Sequence, residues 1–101
     1  MKTAVQVTIY LQESDKWLHI LQMLRNENVA GASAFHAVAG FIGRNSVHTA
    51  GLVEGGGNLP VVIVFVDVQE HVQRVLPLLS ELAPNRLILR EDVVLEQGNL
   101  D

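Results

Sequence analysis

Residues 61–67 read Val-Val-Ile-Val-Phe-Val-Asp, and this run restricts the fold more than any other part of the chain. It is too short for a typical buried helix and rich in β-branched side chains, and Pro60 opens it, so it reads as a strand. Successive strand residues point to opposite faces, which sends Ile63 and Phe65 one way and Val62, Val64 and Val66 the other. Both faces therefore need cover. Either the strand is central in a layered domain, or a second subunit lies against half of its apolar surface.

The remaining elements can be read around it. Residues 3–11 alternate, with Val5, Val7, Ile9 and Leu11 on one side and Gln6, Thr8 and Tyr10 on the other, as in a half-buried strand. Ser14 and Asp15 supply helix-capping chemistry, and Trp17, Leu18, Leu21 and Leu24 recur at helical spacing as far as Asn26 or Asn28. Gly31 is expected to close that connection, and 32–39 form a second strand of small residues around Phe35, His36 and Val38. After 61–67, a second helix is predicted over 69–83, with Val72, Val75, Leu76, Leu79 and Leu82 facing inward and a kink at Pro77. Pro84 and Asn85 end it. A fourth strand follows over 86–90, with a short extension at 93–96. The predicted fold is α+β: a ferredoxin-like βαββαβ sandwich, its four-stranded antiparallel sheet carrying two helices on one face, in a single domain over 1–97 with an exposed tail at 98–101.

Composition narrows the function. With 101 residues there is room for one domain. A net charge of −4 and the absence of a basic stripe argue against nucleic acid and anionic lipid as partners. The lack of cysteine removes disulfides, thiolate catalysis and sulfur-ligated zinc. Without a signal-peptide pattern or a run of roughly 20 apolar residues, the expectation is a cytoplasmic chain with no membrane insertion.

Between the second and third strands lies GFIGRNSVHTAGLVEGGGNL, residues 40–59, where this topology usually needs two to five residues. Six glycines make it a candidate recognition arm. Gly40 and Gly43 at its base allow close approach of a ligand, Arg44 and His48 can meet an anion, and Ser46 and Thr49 can add hydroxyl contacts. A plain mobile insertion is the competing reading. Arg86 and Arg90, four apart on the last strand, could clamp phosphate oxygens, or could simply balance Glu91 and Asp92 on an edge strand. Four histidines raise the question of a metal, but none pairs at ligand spacing. Asp15 with His19 is the one helical i, i+4 couple with a carboxylate in this reading, and His36 reads as a packed or hydrogen-bonded strand residue. No phosphate loop, dinucleotide fingerprint or nucleophile elbow is present, so an enzyme is not expected.

The segments ESD (13–15), VAGASAFHAVAGF (29–41), VHTA (47–50) and LPVVIVFVD (59–67), in this order and spacing, resemble the PII-like group known as domain of unknown function one hundred and ninety. The resemblance covers about 13–96. It implies a homotrimer with sheets turned toward the threefold axis, a long loop equivalent to the T-loop that PII proteins dock onto transporters and enzymes, and small effectors such as ATP, ADP or AMP held between subunits at the loop base. By position Gly40, Phe41, Gly43, Arg44, His48 and Thr49 fall at that base, with Arg86 and Arg90 near a neighbouring subunit's edge. Two departures stand out: the chain runs from Asp15 straight into Lys16 and Trp17, where relatives carry a basic, glycine-containing turn, and the loop has no tyrosine to modify. The function expected is a signalling trimer with no resident cofactor or metal, presenting residues 40–58 to a partner. The alternative is a small metal-binding or enzymatic trimer of the same fold using His48 and His36.

Overall fold

A computed structural model describes residues 2–41, 48–49 and 59–101. The elements are β1 (Lys2–Gln12), a 3-10 turn (Glu13–Asp15), α1 (Trp17–Asn26), β2 (Ala32–His36), β3 (Ala39–Gly40), β4 (His48–Thr49), β5 (Pro60–Asp67), α2 (Gln69–Leu82) and β6 (Leu87–Leu95). The main sheet has the order β2-β5-β1-β6, and every pairing in it is antiparallel. The expected α+β sandwich is present, with β1 and β5 in its centre.

The two-residue period of β1 divides it cleanly. Val5, Val7, Ile9 and Leu11 are buried, and they face Ile20 and Leu24 of α1 and Val72, Val75 and Leu79 of α2. Val61, Ile63 and Phe65 of β5 join them. Each such side chain contributes on the order of 1.5–3 kcal/mol by leaving water. Leu82 of the expected inward stripe is 37% exposed, and Leu18, apolar at helical spacing in α1, is 53% exposed, while Ile20 and Ala83 are buried. Each helix has a narrower apolar stripe than its leucine count suggests, because only residues three or four apart share a face. Helix α2 runs unbroken through Pro77.

Three boundaries differ from the sequence reading. The second strand stops at His36 because its partner β5 starts with Pro60; Ala37 N–H donates to the Pro60 carbonyl at 2.9 Å, and residues 39–40 pair elsewhere. The fourth strand starts at Leu87, not Arg86, and is continuous to Leu95, because the 11-residue β1 offers a backbone partner all the way from Tyr10↔Leu87 to Lys2↔Leu95. Polar Glu91 and Asp92 are tolerated there on an edge strand. Gly31 does not close α1. Asn28 does, in the left-handed region at φ 65°, with Asn28 N–H bonded to the Arg25 carbonyl and Val29 N–H to the Leu24 carbonyl. That is a Schellman ending with asparagine in glycine's usual place.

The sheet face away from the helices carries Phe35, Val62, Val64, Val66, Leu87 and Leu89. The three valines are half-buried, and Phe35, Leu87 and Leu89 are 57%, 62% and 50% exposed. Beyond β6, Gly98 turns the chain at φ +105°, and Leu100 is half-buried beside Val64 and Val66.

Candidate functional site

One end of the sheet gathers the chemistry. Strand β1 ends at Gln12 opposite Pro60, β2 ends at His36 opposite Val61, and β6 begins at Leu87 opposite Tyr10, so the turn after β1, the root of the long loop and the start of β6 lie side by side. At the root, β3 and β4 form a two-stranded ribbon, Ala39↔Thr49 and Gly40↔His48, which brings the two limbs of the loop together at their base. Gly40 packs closely on the first residue of β5: a Cβ there would meet Pro60 Cγ at 3.1 Å, and the proline ring would have to give by a few tenths of an ångström. Phe41 is 57% exposed beside it. Gly43, Arg44 and Ser46 lie outside the described residues, as does the rest of 42–47 and 50–58; of His48 and Thr49 only the strand pairing is described.

The ESD segment forms the floor. Asp15 does not cap α1; its Oδ2 accepts Gln12 N–H at 2.7 Å, and the cap position falls to Lys16, in the left-handed region at φ 56° with no side-chain cap. Arg86 then grips the same carboxylate, Nε to Oδ2 at 2.8 Å and a terminal nitrogen to Oδ1 at 3.1 Å, and also reaches Gln12 Oε1 at 3.1 Å. The guanidinium of Arg86 is thus engaged in tying the turn after β1 to the start of β6. Arg90 stands further along β6, opposite Val7 and exposed, at the sheet edge remote from β2 and the loop root. Within one chain, then, Gly40, Phe41, His48 and Thr49 come together, Arg86 lies at the same end of the sheet, and Arg90 lies away from them.

Sequence reasoning missed two partners. Glu13 Oε2 lies 2.5 Å from His36 Nε2, both side chains being partly exposed, and Trp17 sets its ring perpendicular to His36 at a centroid separation of 5.1 Å. His36 is therefore a hydrogen-bonded strand residue. The second is Asp67 with His71, an i, i+4 couple across the start of α2 whose ion pair is 2.6 Å long. The signal was present in the spacing, but Asp67 reads as the end of a strand and not as part of a helix, which hid it. Among the described residues, no three histidine, aspartate or glutamate side chains converge as a metal site would require, and no helix is long and apolar enough to cross a membrane.

This architecture has known counterparts. The structure of CPII, a nitrogen regulatory PII-like protein from Thiomonas intermedia K12 bound to ADP, AMP and bicarbonate, superposes with a TM-score of 0.70 at 16% identity, over 91% of this chain and 87% of that one. CutA1 from Pyrococcus horikoshii gives 0.62 at 17% identity, over 96% and 88%. These likenesses establish the fold. In sequence, a UPF0166 protein of Methanocaldococcus jannaschii is 35% identical over 97 residues, covering 89% of each chain. The profile of the DUF190 family, described as Uncharacterized ACR, matches residues 4–95. The chain is accordingly a member of the DUF190 family, built on the ferredoxin-like fold of PII-like proteins.

Proposed function

We propose that this protein is a PII-like signalling module: a homotrimer that binds a small anionic effector, an adenine nucleotide, in clefts between subunits and presents the loop of residues 40–58 to a partner protein such as a transporter or enzyme. The observation that carries the reading is the loop root, where the β3–β4 ribbon joins both limbs of an outsized glycine-rich segment to the end of a rigid sheet. Joined at its base in this way, the loop is coupled to the end of the sheet. A ligand that binds only one loop arrangement shifts the population by its differential affinity. The apolar open face with Phe35, Leu87 and Leu89 supports assembly, since a monomer would leave it in water.

Oligomerisation also resolves the position of Arg90. On the edge remote from its own loop root, it serves the cleft of a neighbouring subunit, where with Arg44 it binds phosphate oxygens; Gly40, Gly43, Phe41, His48 and Thr49 line the base. Arg86 supports this cleft by holding the ESD turn. The role is one of binding, not turnover, and the fold neighbour crystallised with ADP, AMP and bicarbonate supports that ligand class. The test is a thermal-shift series with ATP, ADP, AMP and bicarbonate on material whose mass is set by light scattering. Ligand at about 100 times its dissociation constant adds roughly 2.7 kcal/mol. Arg44→Ala and Arg90→Ala are expected to abolish the shift while the trimer persists. Unchanged affinity in both variants, or no shift with any nucleotide, overturns the proposal.

A further inference from the structure

Strand register arranges the open sheet face in rows. Nearest the loop root, Phe35, Val62, Tyr10 and Leu87 stand side by side across the four strands, and Val64 and Val66 lie one and two rows further from it. Phe35 and Leu87 are exposed there. In the row of Val66, Gln6 Nε2 donates to Glu91 Oε1 at 3.3 Å, so the polar side chains beside that valine are engaged with each other.

The segment after β6 returns to this face. Gly98 turns it at φ +105°, a region that residues with side chains rarely adopt. Asn99 closes its tip, Oδ1 accepting Asp101 N–H at 3.1 Å. Leu100 comes to rest half-buried, and with Asn99 it walls a hollow of about 390 Å³ that takes in Val64 and Val66 and reaches Ser33 on β2. Since β6 is one edge of the sheet and β1 separates it from β5, the segment has passed β1 to arrive there. Its hold is apolar: among the described residues, no hydrogen bond ties Asn99, Leu100 or Asp101 to the sheet.

We propose that residues 98–101 form a displaceable strap, which within one chain occupies part of the surface that a second copy of this chain covers, so that strap and copy compete for Val64 and Val66. The strap reading rests on the open face being the subunit contact. A copy of the chain suits this face. Among the described side chains beside Val62, Val64 and Val66 on β1, β2 and β6, the one charge is that of Glu91, which Gln6 already engages. Two such faces can therefore meet without leaving an unpaired charge between them. The strap is tethered and acts at any dilution, whereas the hold of a copy grows with concentration. One half-buried leucine covers the far rows only, while an apposed sheet also covers the row of Phe35 and Leu87. The strap thus shields β5 in the dilute chain and sets the concentration at which copies associate.

Two variants release the strap by different routes. Leu100→Asp removes its apolar anchor, and Gly98→Val disfavours its turn without meeting a neighbour, since no atom lies within 4 Å of a Cβ added there. The full-length protein is followed by sedimentation velocity through a dilution series, with the same moderate urea in every sample if dilution alone does not dissociate the parent. Burying half a leucine amounts to a factor of roughly 3–10 per subunit, so both variants should lower the concentration of half-assembly about tenfold. An unchanged midpoint in either variant overturns the inference. So does a raised one, which would put Leu100 inside the contact between copies and not in competition with it. Leu89→Arg, outside the hollow that Leu100 walls, separates this result from the reading of the face. If Leu89→Arg assembles as the parent does, the face is not the subunit contact and both readings fall; if it dissociates while the strap variants match the parent, the strap reading alone falls.

Discussion

Replacing Arg86 by alanine removes the tie between the turn after β1 and the start of β6. Its guanidinium makes a forked contact with Asp15, 2.8 and 3.1 Å, and a further bond to Gln12. The two charged side chains are 24% and 21% exposed, so this is neither a solvated surface pair nor a buried one. Exposed pairs contribute about 0–1 kcal/mol, and breaking a buried pair costs roughly 3–5 kcal/mol. An intermediate loss of about 2 kcal/mol is expected, which in a domain of this size lowers Tm by roughly 8–16 °C. Lysine keeps the charge but not the fork and should recover less than half. Because assembly adds to apparent stability, urea or thermal unfolding has to be compared at one protein concentration. A double-mutant cycle with Asp15→Asn should give a coupling above about 1 kcal/mol. If Arg86→Ala unfolds within about 0.5 kcal/mol of the parent yet loses nucleotide affinity, the residue is a ligand clamp and the structural reading is wrong.

Leu79→Ala empties a fully buried position under α2 and should cost about 2–5 kcal/mol by denaturant unfolding, with the m-value unchanged. Lys16 occupies a left-handed conformation without a side-chain cap, so Lys16→Gly should relieve strain of about 1–2 kcal/mol against a chain-entropy loss of about 0.4–1, for a net gain of roughly 0–1.6 kcal/mol; a loss of stability would mean that the lysine side chain itself is needed. Leu89→Arg charges the open sheet face without touching the core, and light scattering should show smaller particles with unchanged far-UV circular dichroism. Retention of the parent mass would remove that face from the subunit contact.

Local patterns carried the fold. The alternation over 3–11, the apolar run at 61–67 and the helical spacing from Val72 to Leu79 each depend on neighbours a few residues away, and they placed the elements where they occur. Leu18 and Leu82 are apolar and at helical spacing with their neighbours, yet a helix buries one stripe and these two lie off it. The site was less legible. Glu13 with His36 and Asp15 with Arg86 are 23 and 71 residues apart, and no periodicity predicts which carboxylate will meet which cation.

What the sequence determines alone is the set of elements, their order and the apolar excess on both sides of β5, since these follow from backbone geometry and the period of the side chains. The extent of β2 and β6 depends on their partners, because a strand lasts only as far as another backbone can bond to it: Pro60 ends one and the full length of β1 extends the other. Tertiary structure likewise decided that Asn28 and not Gly31 closes α1, that Arg86 holds a turn, and that His71 lies between Asp67 and the carbonyl of Glu27. Each of these is a choice among partners brought together by folding, and the energies that make it act over distances of about 3 Å, which the chain reaches only when the sheet has formed.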